Sequence, residues 1–242
     1  GANNYKQSEL YMALKAELEE FCENGPQYDA ATPLHDAAEE GDDLVIEALL
    51  SMGADVNEVA SDGQTPLMTA ASWGNASSCR LLVRGGARVD SKDEGGDTAL
   101  HEAARADELE ALITLLDLGA EVDPRNKLGA TPLHIAAHKG HKVIAKALIK
   151  AGAAVQGAQS EMAGGYSPLH AAAANGSTGC LQDLLEAGAS LAHSASESNL
   201  RGGSATALEL AEESGQTETA KLLRRASVEA FEKYGMWGDG GG

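Results

Sequence analysis

Histidine is the residue type in this chain whose chemistry first suggests catalysis or metal binding. The sequence holds seven histidines, and four of them close a recurring string of the form Thr-Pro-Leu-His: His35, His101, His134 and His170. A catalytic histidine needs a nucleophile or carboxylate placed beside it at one unique site. A histidine that recurs at the same place in four copies of a string does not mark one unique site. We therefore predict a structural role for these four residues and no catalytic residue in the chain.

His138 and His141 are three residues apart, a spacing that could hold a metal ion on one helical face. The sequence offers no third ligand beside them. The three cysteines, Cys22, Cys79 and Cys180, fit neither a zinc motif nor a set of paired disulfides. No glycine-rich phosphate loop, metalloprotease motif or nucleophile elbow is present. We predict no metal site and no cofactor, and the unpaired cysteines favour a reducing compartment.

The chain is strongly acidic, with 37 Asp and Glu residues against 18 Lys and Arg and a net charge of −19. A field of this sign repels phosphate, so we predict no binding to nucleic acid. The acids are concentrated in residues 1–60, which favours a protein partner with a basic patch. No run of about 18 apolar residues occurs, so no membrane span is predicted. We expect an intracellular soluble protein, cytoplasmic or, if a leader was removed before Gly1, inside an organelle.

The recurring string marks an internal repeat. Its copies begin at residues 32, 65, 98 and 131, at intervals of 33 residues, and further copies begin at 167 and 206. A fixed period of this length is typical of stacked units, each of which buries its apolar face only against its neighbours. We predict one stack of six units.

Each unit has the pattern of two successive helices. In the fourth, Thr131 can cap the first helix, with Pro132 at the position where a missing N–H costs nothing. Gly140 can end that helix because glycine adopts positive φ freely. Ile144 and Leu148 belong to the apolar stripe of the second helix. The pattern predicts a helix-turn-helix unit repeated along the chain.

These units resemble the ankyrin repeat family, over about residues 29–226. The resemblance implies an all-α solenoid of antiparallel helix pairs joined by β-hairpin fingers, and a structural hydrogen-bonding role for the histidine of each string. It also implies binding of other proteins without catalysis. The predicted repeats are 29–57, 58–90, 91–123, 124–156, 157–193 and 194–226, between an N-terminal capping helix within 1–28 and a helix extension with a glycine-rich tail over 227–242.

Four features depart from the shared pattern. Asp107 occupies a position where the other repeats have glycine, so we expect a remodelled turn there. Extra residues precede repeats five and six, in 157–165 and 193–205, where they form either binding loops or tolerated drift. The amphipathic segment 7–23 predicts a helix that covers the first repeat or docks onto a partner. Met236 and Trp237 are either part of a flexible C-terminal tail or a short segment that contacts another chain.

Ankyrin geometry implies that the varying residues of each first helix line a concave face. Trp73 is the most prominent of them, because exposed indoles are enriched at interfaces; the alternative is that it packs against its own finger. Ile135 is predicted as a second exposed apolar residue, and Leu128 and Tyr166 as fingertip contacts. The predicted protein-binding residues are Trp73, Ser72, Thr69, Glu102, Arg105, Ile135, His138, Lys139, Leu128 and Tyr166.

Two functions of different classes fit these observations. The first is a non-catalytic adaptor or scaffold that binds a protein through the concave face and fingers. The second is a permanent structural subunit of a larger complex, in the cytoplasm or an organelle, held by the terminal helix and the tail. An enzymatic role would require a catalytic domain outside this sequence.

Overall fold

The structure is a computed structural model that describes residues 32–156, 166–192, 194–196 and 204–234. The helix predicted over 7–23, the tail after residue 234, all of 157–165 and most of 193–205 lie outside the described residues. The chain divides into two compact units, Gly1–Lys127 and Leu128–Gly242. The division into six repeats over 29–226 stays a prediction.

The described part of the first unit contains three successive helix pairs. The first helices of the pairs pack side by side in chain order and form one row. The second helices form a neighbouring row. The helices are α1 Pro33–Glu40, α2 Asp43–Ser51, α3 Pro66–Ser72, α4 Ala76–Arg84, α5 Ala99–Ala106 and α6 Leu109–Asp117.

The second unit repeats this two-row arrangement. Its described helices are α7 Pro132–Lys139, α8 Lys142–Lys150, α9 Pro168–Asn175, α10 Thr178–Glu186, α11 Ala207–Glu213 and α12 Thr217–Tyr234. Two short antiparallel strands, β1 Ser194–Ser196 and β2 Ser204–Thr206, pair the ends of the second insertion just before α11. Neither α12 nor any other helix in the described ranges combines the length and apolar character that a bilayer span requires.

Each first helix begins after a Ser or Thr N-cap. The N-cap side chain accepts a hydrogen bond from the backbone N–H of the third helical residue, and the side chain of that third residue accepts one from the backbone N–H of the N-cap. Histidine is the usual third residue. In α11 Glu209 takes its place, and its carboxylate accepts hydrogen bonds from the backbone N–H and the hydroxyl of Thr206 at 2.7 and 2.9 Å. These bonds to Thr206 lower the pKa of Glu209 below its usual value.

The core is built from leucine and alanine, as expected for a chain with 4% aromatic residues. In α1, α3, α5, α7 and α9 one leucine lies two residues after the N-cap and is at most 2% exposed; full burial of such a side chain stabilises the fold by about 1.5–3 kcal/mol. An alanine pair three residues further along is at most 4% exposed, and its small side chains let neighbouring helices approach closely. The leucines are Leu34, Leu67, Leu100, Leu133 and Leu169, and the pairs run from Ala37–Ala38 to Ala172–Ala173.

The fingers between helix pairs are tight turns. In one of them the N–H of Asp93 donates to the carbonyl of Asp97 at 3.0 Å, which closes a hairpin without extended strands. Successive fingers are also joined, since the N–H of Lys127 donates to the carbonyl of Gly95 at 2.8 Å. Backbone hydrogen bonds therefore fix the spacing of neighbouring fingers within the first unit.

The turn at Asp107 is not remodelled, contrary to the expectation from sequence. Among the described residues Asp107 is the one non-glycine with positive φ, at +67°, and it ends α5 in the left-handed region that Gly74 and Gly140 adopt after α3 and α7. Aspartate is one of the few L-residues with a short polar side chain that tolerates this region. The packed helix pair thus imposes the turn on the residue present.

Replacing Asp107 with glycine should give a more stable protein than replacing it with alanine, by about 1 kcal/mol. Both changes remove the carboxylate, so the difference between them isolates the cost of a Cβ atom at φ +67°. Urea unfolding of the two variants measures this difference. Equal unfolding free energies would show that the turn relaxes to another conformation.

Candidate protein-binding surface

The histidines of the recurring string are buried parts of the framework. The backbone N–H of Thr131 donates to Nδ1 of His134 at 3.1 Å, so Nδ1 is an acceptor and Nε2 carries the proton. Nε2 donates that proton to the carbonyl of Tyr166 at 3.0 Å. His35 is bonded in the same way to Thr32 and to the carbonyl of Gln64. In these two rings both nitrogens are committed to backbone partners, which fits a structural role.

Trp73 leaves 57% of its surface exposed at the end of α3. Its backbone N–H donates to the carbonyl of Thr69 at 3.1 Å, so the helix fixes the point from which the indole projects. Ser72 and Thr69 beside it are half-exposed. The structure therefore groups these three predicted binding residues around one exposed ring.

Asn75 connects the neighbourhood of Trp73 to the preceding helix pair. Its side-chain amide donates to the carbonyls of Ala38 and Glu39 at 2.9 and 2.8 Å, and so caps the C-terminus of α1. Asn175 does the same for α7, with a bond of 2.5 Å to the carbonyl of His138. The two asparagines hold different positions, since Asn75 lies ten residues after its N-cap Thr65 and Asn175 lies eight residues after Ser167. The repeat pattern therefore gave no signal of this shared role.

The third helix pair holds a group of close carboxylates. Oxygens of Asp93, Asp97 and Glu102 lie within 4.8 Å of one another, the kind of arrangement that can hold a cation. Here the guanidinium of Arg105 pairs with both Asp97 and Glu102. Asn126 adds a hydrogen bond to Asp97 at 2.8 Å. The group is therefore an ion-pair cluster closed by a protein cation.

Electrostatics within this cluster differ between its two central acids. Burial opposes ionisation of Asp97, but the hydrogen bonds from Arg105 and Asn126 outweigh it and lower the pKa of this carboxyl. Burial raises the pKa of Glu102 in spite of the attraction of Arg105. Glu102 is 5% exposed, so the prediction that it lines an exposed face is wrong. The side chain of Arg105 stays 38% exposed while it pairs with both acids.

Comparison with known proteins decides the family. A family model described as "Ankyrin repeats (3 copies)" matches residues 34–126 and 112–195, which together span 34–195 of the 242 residues. The chain belongs to the ankyrin repeat family. Ankyrin repeats are generally modules for protein–protein interaction, and typically scaffolds without catalysis of their own.

A solved ankyrin structure is similar to this chain. The crystal structure of the human ASB11 ankyrin repeat domain matches with a TM-score of 0.68 and 26% sequence identity, over 81% of this chain and 84% of that chain. No curated protein sequence matches the chain. The comparison supports the all-α ankyrin architecture and leaves the partner to be argued from the residues.

The ankyrin positions of the second unit differ in exposure. Ile135 is of intermediate exposure in α7, like Thr69 in α3, so it is less exposed than predicted. His138 and Lys139 are exposed in the last turn of α7, where the positive charge of Lys139 interacts favourably with the helix dipole. Leu128 is 78% exposed. Its exposure leaves it available to a partner.

Tyr166 has contacts within its own ankyrin repeat. Its ring lies 5.6 Å from the imidazole of His170, and its hydroxyl donates to the carbonyl of His170 at 3.5 Å. Its carbonyl accepts the hydrogen bond from His134. The half-exposed side chain therefore supports the fold whether or not it also contacts a partner.

Proposed function

We propose that the chain is a non-catalytic adaptor that binds a protein partner through the surface of the first unit around Trp73. The observation that carries this proposal is the indole that stays 57% exposed. Tryptophan is the residue type most enriched among side chains that dominate binding energy at interfaces. Its fixed position at the end of α3 also lowers the entropy that a partner must remove.

The charge around this surface indicates the kind of partner. Asp36, Glu39 and Glu40 of α1 are exposed and lie in the row of first helices that contains Trp73. A basic patch on the partner would complement them and accelerate encounter. A specific interface buries about 1,200–2,000 Å² in total, so it extends beyond the indole to the neighbouring helices and fingers.

Replacing Trp73 with alanine should weaken binding of the native partner by about 2 kcal/mol, roughly thirtyfold. Leu44→Ala is the matched control, because Leu44 is 52% exposed on α2 in the other row of helices. Partners captured from the native source with the wild-type chain are identified by mass spectrometry, and the purified partner is then titrated into all three proteins by calorimetry. Equal affinities for wild type and the Trp73 variant would refute the proposal.

A second candidate is a permanent subunit of a larger complex, which the last helix favours. Val228 and Phe231 of α12 are 58% and 54% exposed and lie three residues apart on one helical face, where they form an exposed apolar pair. Size-exclusion chromatography of native extract distinguishes the two functions. An adaptor elutes partly free, whereas a permanent subunit elutes only with its complex.

A further inference from the structure

The neighbours of Trp73 within the first unit are unequal in size. Glu40 holds the equivalent position at the end of α1, and Ala106 holds it at the end of α5. Because α1, α3 and α5 pack in that order, the positions equivalent to Trp73 in the two neighbouring helices hold an acidic residue and a small one.

Acidic residues stand near this position in both neighbouring helix pairs, as Glu39 and Glu40 at the exposed end of α1 and as Glu108 before α6. Asn75, two residues after Trp73, donates from its side-chain amide to the backbone carbonyl of Glu39 at 2.8 Å, so the end of α1 lies close to the turn that follows Trp73. On the other side, a Cβ atom placed on Gly74 would overlap the carboxylate of Glu108. Gly74 is the residue directly after Trp73, so Glu108 lies beside the base of the indole.

These acids have no cation of their own. Within the described ranges no Lys, Arg or His forms an ion pair with Glu39, Glu40 or Glu108. Arg105 in the next helix pair is drawn instead to Asp97 and Glu102. The exposed ring is thus bordered by negative charge that the unit itself does not neutralise.

An electron-rich ring face bordered by carboxylates favours one chemical class of ligand. A cation is attracted by the quadrupole of indole, which binds cations better than the rings of Tyr or Phe do. Guanidinium combines this attraction with planar stacking and paired hydrogen bonds to carboxylate oxygens. An anionic group is repelled, and an apolar side chain would leave the carboxylates without a partner.

We propose that Trp73 receives an arginine side chain of the partner, which stacks on the indole and pairs with Glu39 or Glu40 on one side and Glu108 on the other. This inference rests on the proposed function and names what the partner inserts. It makes arginine, instead of a hydrophobic residue, the central contact of the interface.

The test uses the full chain with ¹⁵N-labelled indoles and follows the Nε1–H signal of Trp73 by NMR. The chain has two tryptophans, and Trp237→Phe assigns the signal. Acetyl-triarginine amide should shift it in a saturable way, whereas the neutral isostere acetyl-tricitrulline amide should bind at least about tenfold more weakly. Equal affinity for the two peptides would overturn the inference.

Two triple variants with the same net charge distinguish a localised binding site from attraction of the peptide by the overall charge of the chain. Removing the three acids at the indole (Glu39→Gln, Glu40→Gln, Glu108→Gln) should weaken triarginine at least about fivefold. Removing three exposed acids elsewhere (Glu47→Gln, Glu110→Gln, Glu121→Gln) changes the net charge equally and should leave the affinity within about twofold. Equal losses in the two triple variants would show attraction by the whole acidic chain and overturn the inference.

The two proposals fail in different ways. If the native partner binds the Trp73→Ala variant as well as wild type, the proposed function is wrong. If the partner requires Trp73 but triarginine and tricitrulline bind alike, only the arginine assignment is wrong.

Discussion

Replacing His134 with leucine should lower the free energy of unfolding by about 2–3 kcal/mol. Leucine keeps a similar volume but leaves the N–H of Thr131 without its acceptor and the carbonyl of Tyr166 without its donor. Each unpaired polar group costs about 1–3 kcal/mol when buried, and the Tyr166 carbonyl is only partly buried. Urea unfolding followed by circular dichroism measures the loss.

Met68→Leu provides the matched control for this histidine. Met68 stands at the equivalent place in α3, where its sulfur accepts only a weak hydrogen bond from the N–H of Thr65 at 3.4 Å. A swap of Met for Leu conserves volume and should cost less than about 1.5 kcal/mol. Equal losses at the two positions would mean that shape, and not hydrogen bonding, makes histidine the usual residue there.

Arg105→Met should lower the free energy of unfolding by a comparable amount, about 2–3 kcal/mol. The substitution leaves the buried carboxylate of Glu102 unpaired and removes one partner of Asp97. The partial exposure of Arg105 keeps the expected loss below the value for a fully buried pair. Denaturant unfolding at neutral pH measures it.

The Arg105 variant should regain stability as the pH falls. Burial already raises the pKa of Glu102 with Arg105 in place, and loss of this cation raises it further. A carboxyl whose pKa is higher in the folded than in the unfolded state favours folding more at low pH, because the folded state then binds the extra proton. The difference in unfolding free energy between the variant and wild type should become smaller between about pH 7 and pH 5.

A double variant tests the cause of this pH dependence. Arg105→Met combined with Glu102→Gln has no titrating group at position 102. Its unfolding free energy should therefore differ less from that of wild type at neutral pH, and position 102 should not make this difference smaller as the pH falls. A double variant as unstable and as pH-sensitive as Arg105→Met would place the effect on Asp97 or on lost packing.

The sequence predicted the helical framework well because its signals are local. A Ser or Thr cap, proline at the first position and a closing glycine each act within a few residues, and the helices begin and end where these residues lie. The prediction failed at Asp107, where local preference argued against the left-handed conformation. Packing of the helix pair outweighed that preference.

Exposure could not be predicted in the same way, because it depends on side-chain contacts both within a repeat and between repeats. Glu102 occupies a position that is exposed in α1 as Asp36, yet it is buried because Arg105 reaches it. The approach of Glu108 to Gly74 depends on contacts 34 residues apart in the chain. Such pairings follow from three-dimensional spacing, which the repeat pattern does not encode.

The hydrogen bonds that run from one repeat to the next limit how the protein could be rearranged by recombination. His35 supplies the donor for the carbonyl of Gln64, and Asn75 returns a donor to the carbonyl of Glu39. These two repeats thus each hold half of a polar pair whose other half the neighbour supplies. Deleting or shuffling a repeat keeps the apolar register but preserves these pairs only where the new neighbour carries the same residues, so gene duplication can lengthen such a chain more easily than it can reorder it.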